Sequence, residues 1–203
     1  VKGFFVAFEG IDGVGKTTQA GLLAAALAGK GYPVLSTREP GGTALGEKLR
    51  GLLLDRDLAP APWTEVFLYA ACRAQHVAEK IRPALEKGQV VIADRFLDST
   101  LAYQGFGRGL ALEELERISL LAAGGLVPDL TVLLDMPVEE ALGRLAGKPD
   151  RLEGEGREFF RRVRRGYLWL AARHPDRYLV LDARLSPLEL HRAILEAFEV
   201  KAR

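Results

Sequence analysis

Residues 10–17 read Gly-Ile-Asp-Gly-Val-Gly-Lys-Thr, a complete G-x-x-x-x-G-K-T string directly behind the apolar run Phe4-Phe5-Val6-Ala7-Phe8. Such a loop holds a polyphosphate when a buried strand feeds it and a helix leaves it, because backbone N–H groups and the positive helix end then converge on the anion. Thr17-Thr18-Gln19-Ala20 and the alanine- and leucine-rich stretch up to Leu27 supply that helix, with Gly29 and Gly31 near its end. Gly10, Gly13 and Gly15 permit the tight turn that brings amides against phosphates. The pattern assigns Lys16 to the β- and γ-phosphates and Thr17 to Mg²⁺. A glycine-rich turn with no ligand is the alternative, but Lys-Thr in register with both flanks points to a nucleoside triphosphate. Gly10, Ile11, Asp12, Gly13, Val14, Gly15, Lys16, Thr17 and Thr18 form the candidate binding set.

A second chemical signal is Asp94-Arg95, which closes the apolar run Val90-Val91-Ile92-Ala93. An acid there can hold Mg²⁺ directly or through water, while the arginine reaches the phosphates; a structural salt bridge is the competing explanation. Asp135 also ends an apolar run, but Met136-Pro137 behind it favour a role in shaping the next helix start. Transfer to another phosphate needs no general base, since the acceptor oxygen is already ionised; it needs cations that bring two anions together. Arginine suits this through its planar fork and permanent charge. Arg38, Arg50, Arg73, Arg95, Arg144 and Arg151 lie in or beside loops and helix ends, whereas Arg161, Arg162, Arg164 and Arg165 read as the solvated face of a helix that buries Phe160, Val163 and Tyr167. His76, His174 and His191 have no metal-ligand spacing, and Cys72 reads as a small buried hydrophobe.

The elements that must position these groups alternate. Strand-like runs fall at 4–8, 32–37, 89–93, 130–134 and 177–181, and helical patterns at 43–53, 64–86, 112–123, 138–146, 156–173 and 187–198. Ser186-Pro187-Leu188-Glu189 is a capping box with proline at the first helical position. Apolar strands separated by helices predict an α/β fold: a five-stranded parallel sheet between two helical layers, with ligands beyond the strands' carboxyl ends. Two loops stand out there, Arg38-Glu39-Pro40-Gly41-Gly42-Thr43 and the charged, glycine-rich segment 147–156, a short lid on this reading and a plain solvated connection on the other. No repeat or linker interrupts the 203 residues, so one domain over 1–203 is expected. The net charge of +1 gives no reason to expect nucleic-acid or membrane binding. A single cysteine excludes an intrachain disulfide, and with no secretory or bilayer-spanning stretch the expectation is a cytoplasmic protein.

Taken together, these residues resemble the bacterial thymidylate kinases. The resemblance is carried by 8–18, by Arg38-Glu39-Pro40-Gly41-Gly42-Thr43 and by Asp94-Arg95-Phe96-Leu97-Asp98-Ser99-Thr100-Leu101-Ala102-Tyr103-Gln104. Ala71-Cys72-Arg73-Ala74-Gln75-His76, Pro128-Asp129-Leu130 and Asp150-Arg151-Leu152-Glu153 follow in the expected order. The resemblance implies a P-loop three-layer fold, a homodimer, and transfer of the γ-phosphoryl of MgATP to dTMP, giving dTDP and ADP on the way to dTTP. It implies Asp12 near the acceptor sugar, Arg95 on its phosphate and Arg73 near base and phosphate, with Glu39 and Arg50 lining the pocket. Tyr69 stands where the family usually stacks phenylalanine on thymine, and Thr100 and Gln104 would contact the base. Arg144 would lie against adenine, whose edge the backbone near Ala183 and Arg184 would read. Thr100, Arg50 and Glu39 could equally cap or brace a loop.

The sequence departs from the family at the cation serving the transferring group. One branch carries a basic residue inside the phosphate loop, where this chain has Gly13 and Val14; the other carries several arginines in the lid. Here the lid offers Lys148 and Arg151, flanked by Arg144 and Arg157, so Lys16, Arg95 and Arg151 are the expected catalytic cations and Thr17 and Asp94 the expected metal ligands. A kinase for another nucleoside monophosphate is the nearest rival. A nucleotide-dependent switch is less compatible, because the closest string to a guanine-reading N-K-x-D is Gly147-Lys148-Pro149-Asp150, without the asparagine.

Overall fold

The computed structural model describes residues 3–145, 151–152 and 154–202. Within the expected lid, 147–150 (including Lys148) and Glu153 lie outside the described residues. Five strands, β1 (Phe4–Glu9), β2 (Val34–Arg38), β3 (Val90–Asp94), β4 (Leu130–Asp135) and β5 (Tyr178–Asp182), form one parallel sheet in the order β2-β3-β1-β4-β5. Strand side chains alternate between faces. Phe5 and Ala7 therefore pack with Val77, Ile81 and Ala84, while Val6 and Phe8 join the cluster of Leu23, Leu27, Ile194 and Phe198.

The helices are α1 (Lys16–Gly29), α2 (Ala44–Leu54), α3 (Pro62–His76), α4 (Arg82–Glu86), α5 (Leu97–Thr100), α6 (Leu112–Ala122), α7 (Val138–Gly143), α8 (Arg157–Arg173) and α9 (Pro187–Lys201). A π-helical turn over Val77–Ile81 joins α3 to α4, so the predicted helix 64–86 is a composite rod. A second π-helical segment, Leu101–Gly107, continues α5. The sequence reading assigned no helix to 97–107: the stretch is short and its wide turns break the 3.6-residue period. The capping box of Ser186 and Glu189 forms as expected. The arginine-rich face of α8 is less solvated than expected: Arg164 makes a two-pronged bond to Asp135, at 2.7 and 2.8 Å, and Arg162 donates to the Gly107 carbonyl. Tertiary partners on β4 and the π-helical segment draw these two side chains in. Among the described residues no helix is long and apolar enough to cross a membrane.

Register is what assembles the site. Phe8 on β1 pairs with Asp94 on β3, which also pairs with Arg38 on β2. The loops after three adjacent strands, carrying the glycine string, Arg95 and Glu39, therefore leave the sheet side by side at its carboxyl edge.

Candidate active site

The turn from β1 into α1 uses the freedom of glycine at Gly10, Gly13 and Gly15, with φ of 135°, 83° and 94°. Ile11 and Val14 are buried in the core, so their backbone is what they can offer a phosphate. Lys16 is buried, donates to the Ile11 carbonyl at 2.7 Å and lies 3.8 Å from Asp12. Burial and the neighbouring Arg95 charge pull its ammonium down to about 8 despite Asp12, Asp94 and Glu9. Thr17 donates to Asp94 Oδ2 at 2.5 Å, placing a hydroxyl and a carboxylate together at the cleft, and Thr18 is exposed beside them.

Arg95 is the one non-glycine residue with positive φ (71°) among the described residues. Its guanidinium is held by Asp12 Oδ1 at 2.5 Å, the Gly10 carbonyl at 2.9 Å and the hydroxyls of Tyr103 and Tyr167 at 3.1 and 3.0 Å. Burial pushes the Asp12 carboxyl up, but Arg95 and Lys16 outweigh it and hold it at about 2. Beneath this group sits Glu9, fully buried, accepting from the Phe96 N–H and from the hydroxyls of Ser99 and Tyr167. Burial, with the Asp98 charge, pushes Glu9 up to about 7 against the pull of Arg95.

On the other side of Arg95 lies a small cavity of about 100 Å³, walled by Asp12, Glu39, Arg50, Tyr69, Arg73, Arg95, Phe96, Thr100, Tyr103 and Gln104 and covered by Leu54 and Leu152. Arg73 crosses its floor, bonding Glu39 at 2.9 Å, the Phe96 carbonyl at 3.2 Å and Thr100 Oγ1 at 3.1 Å. Its Nη1 is buried with no hydrogen-bond partner in the protein. An orphan donor in a cavity wall is costly unless a ligand acceptor meets it. Glu39 is fixed by Arg73 and His76, while Arg50 donates to the Pro40 carbonyl. A larger cleft of about 750 Å³ follows Gly13, Gly15, Lys16, Thr17 and Thr18 to Asp94 and Leu145. The two spaces share Asp12, Glu39, Arg50 and Arg95.

The structure thus brings together the phosphate-loop set and the expected acceptor set. Arg144 donates to the Ala183 carbonyl at 3.2 Å, joining the two regions expected at adenine. Arg151 turns elsewhere: its Nε donates to the Leu53 carbonyl at 2.8 Å and its Nη2 lies 2.6 Å from Glu65 Oε2, off the N–H axis, as an ion pair rather than a directed hydrogen bond. Arg157 is exposed at the start of α8. Sequence reasoning assigned no site role to Glu9, Glu65, Ser99 or Tyr103, and gave Tyr167 only a core-facing place on α8. Ser99 and Tyr103 sit one residue before Thr100 and Gln104, but the π-helical turns there leave no 3.6-residue stripe to mark them.

A glycine-loop cleft sharing its wall with a smaller second pocket, at the carboxyl edge of a parallel sheet, defines a P-loop protein built to hold a triphosphate beside another ligand. The thymidylate kinase family model matches residues 8–194. The chain is 51% identical over 200 residues to the thymidylate kinase of Caldanaerobacter subterraneus subsp. tengcongensis, covering 98% of this chain and 96% of that one. It is 52% identical over 203 residues to that of Pelotomaculum thermopropionicum, covering 98% and 94%. The crystal structure of thymidylate kinase from Ehrlichia chaffeensis superposes with a TM-score of 0.81 at 33% identity, covering 98% of this chain and 99% of that one. The chain belongs to the thymidylate kinase family and is a nucleoside monophosphate kinase.

Proposed function

We propose that this chain carries out its family's reaction, phosphorylation of dTMP to dTDP by ATP on the way to dTTP, with ATP along the phosphate loop and dTMP in the small pocket. The observation that carries this reading is the shared wall: Asp12, Glu39, Arg50 and Arg95 line both spaces, so the two phosphate ends meet there. The orphan Arg73 Nη1 supports a carbonyl-bearing base in the pocket, with Tyr69 and Phe96 as apolar flanks and Thr100 and Gln104 at its edge.

The acceptor phosphate is its own nucleophile, so the protein's task is alignment and charge. Lys16 and Arg95 already converge on Asp12, and incoming phosphates replace that carboxylate as their counter-ion, freeing it for the sugar hydroxyl. Arg144, with the backbone near Ala183, takes the adenine end. Thr17 and Asp94 fit Mg²⁺, which favours few protein oxygens and keeps its remaining positions for water and phosphate. When bound, Mg²⁺ neutralises charge on the phosphate oxygens. Arg151 serves the transferring group only after leaving Glu65, with Lys148 or Arg157 assisting. We read residues 1–203 as one domain with a lid over 147–156, assembling as a homodimer in the cytoplasm; the single free cysteine suits that compartment.

The test is ADP release with MgATP and dTMP, dUMP, dGMP, CMP or no acceptor. Turnover with dTMP, with dUMP far behind, is the expected result. Turnover with another monophosphate alone overturns the pocket assignment, and release that ignores every acceptor overturns the kinase reading. In the same assay Arg151→Ala lowers kcat by about tenfold or more; a change within about threefold removes Arg151 from the transfer step.

A further inference from the structure

Glu65 stands on α3 at 0% exposure, and the phosphoryl-transfer scheme gives it no part beyond pairing with Arg151 before Arg151 moves. Its Oε1 accepts from Gln104 Nε2 at 2.7 Å and from Arg108 Nε at 3.1 Å, and its Oε2 accepts from Arg108 Nη2 at 3.2 Å and faces Arg151 Nη2. Burial pushes this carboxyl up, but Arg108, Gln104 and Arg151 outweigh it and hold it below its ordinary range, so it is ionised at neutral pH. An ionised carboxylate has acceptors only.

That one-sidedness decides how the neighbouring amide lies. Gln104 is 2% exposed, and had it turned the other way it would set two acceptors against each other in a dry interior. Its NH₂ therefore faces Glu65, which leaves its carbonyl oxygen at the other edge of the same planar amide. Gln104 lines the small pocket, as does Arg73 with its orphan Nη1 donor. A pocket offering an acceptor from one side chain and a donor from another matches the imide edge of thymine or uracil, a ring N–H beside a carbonyl. It opposes cytosine, which presents an unprotonated ring nitrogen beside an amino group.

We infer that Glu65 is a positioning residue for base selection, fixing the Gln104 amide so that the pocket accepts a pyrimidine imide and rejects cytosine. The inference rests on reading this pocket as the base site. Glu65→Gln keeps the shape but adds a donor, so the Gln104 amide can turn over and present its NH₂ to the ligand.

The experiment measures dissociation constants for dTMP and dCMP by calorimetric titration of the whole protein. In Glu65→Gln the preference for dTMP over dCMP falls by about tenfold or more, the scale of one reversed buried hydrogen bond. A merely structural role weakens both ligands together and leaves the ratio alone. Arg108→Lys, which keeps both the carboxylate and a counter-charge beside it, retains the ratio. If Glu65→Gln does not fold, the pair Glu65→Met with Arg108→Met removes the buried carboxylate together with its half-buried partner, leaves Arg151 on the Leu53 carbonyl and frees Gln104, with the same fall expected. Gln104→Ala separates the two readings. If it lowers the ratio while freeing Gln104 does not, Glu65 is not the positioning residue and the pocket reading stands. If neither moves the ratio, the pocket reading fails with it.

Discussion

Lys16 carries one of the large electrostatic shifts in the site. A lysine whose folded value is drawn from 10.5 down to about 8 makes the folded protein less stable while it is charged; that cost is fully present below about 8 and fades as pH rises towards 10.5. The phosphates of ATP reverse the imbalance, because an opposite charge favours the ammonium. Binding of a non-hydrolysable ATP analogue at pH 8.5 therefore takes up roughly half a proton or more, seen as a dependence of the calorimetric heat on the buffer's ionisation enthalpy. The uptake disappears in Lys16→Arg, and no uptake in the parent protein refutes this account of Lys16. Lys16, Thr17 and Asp94 were legible in the sequence because a local string or a strand end fixes their place. Glu9 and Glu65 were not. Each is a carboxylate whose meaning comes from donors 90 or 39 residues away in the chain, such as Ser99 and Gln104, and no periodicity encodes that approach.

Among the elements, the β1–α1 turn is the one with least room. Gly10, at φ 135°, fits so tightly against β4 that an added Cβ would lie 2.4 Å from the Leu134 carbonyl oxygen and 3.0 Å from Val14 Cγ2. Gly10→Ala must tilt the loop away from β4 and disturb the Gly10 carbonyl that accepts from Arg95. The expected result is a loss of about 2 kcal/mol or more in unfolding free energy, from backbone strain plus the clash. ATP affinity should fall with it; unchanged stability and affinity would show that the loop tolerates the shift. The strands and most helices were legible because their apolar periods are clean. The 97–107 helix was not, although it carries Ser99, Thr100, Tyr103 and Gln104, since Gly105, Gly107 and the π-helical turns leave no regular stripe.

The whole molecule is joined through α3, which serves two surfaces at once. Its inner face gives Glu65, Tyr69, Arg73 and His76 to the acceptor side, while Trp63 and Phe67 pack obliquely on its outer face, with Phe67 58% exposed. α2 and α6 pack on either side of α3 and expose Leu45 and Leu52, and Leu120 and Leu121, the last at 83%. Exposed apolar residues on three adjoining helices suit association rather than solvent. The homodimer that the family resemblance implies would cover them by a two-fold contact of α3 with its own copy. Covering this face would also stiffen the wall that holds Arg73 and Glu65. Sedimentation velocity at micromolar concentration should then show a dimer, and Phe67→Glu a single chain, because burying an unpaired carboxylate at a two-fold contact opposes two like charges. The separated chain should show a higher KM for dTMP than for ATP relative to the parent, since α3 lines the acceptor pocket and not the phosphate-loop cleft. A parent protein that sediments as one chain would refute the dimer. A dimeric parent whose Phe67→Glu variant stays paired would place the contact on another face.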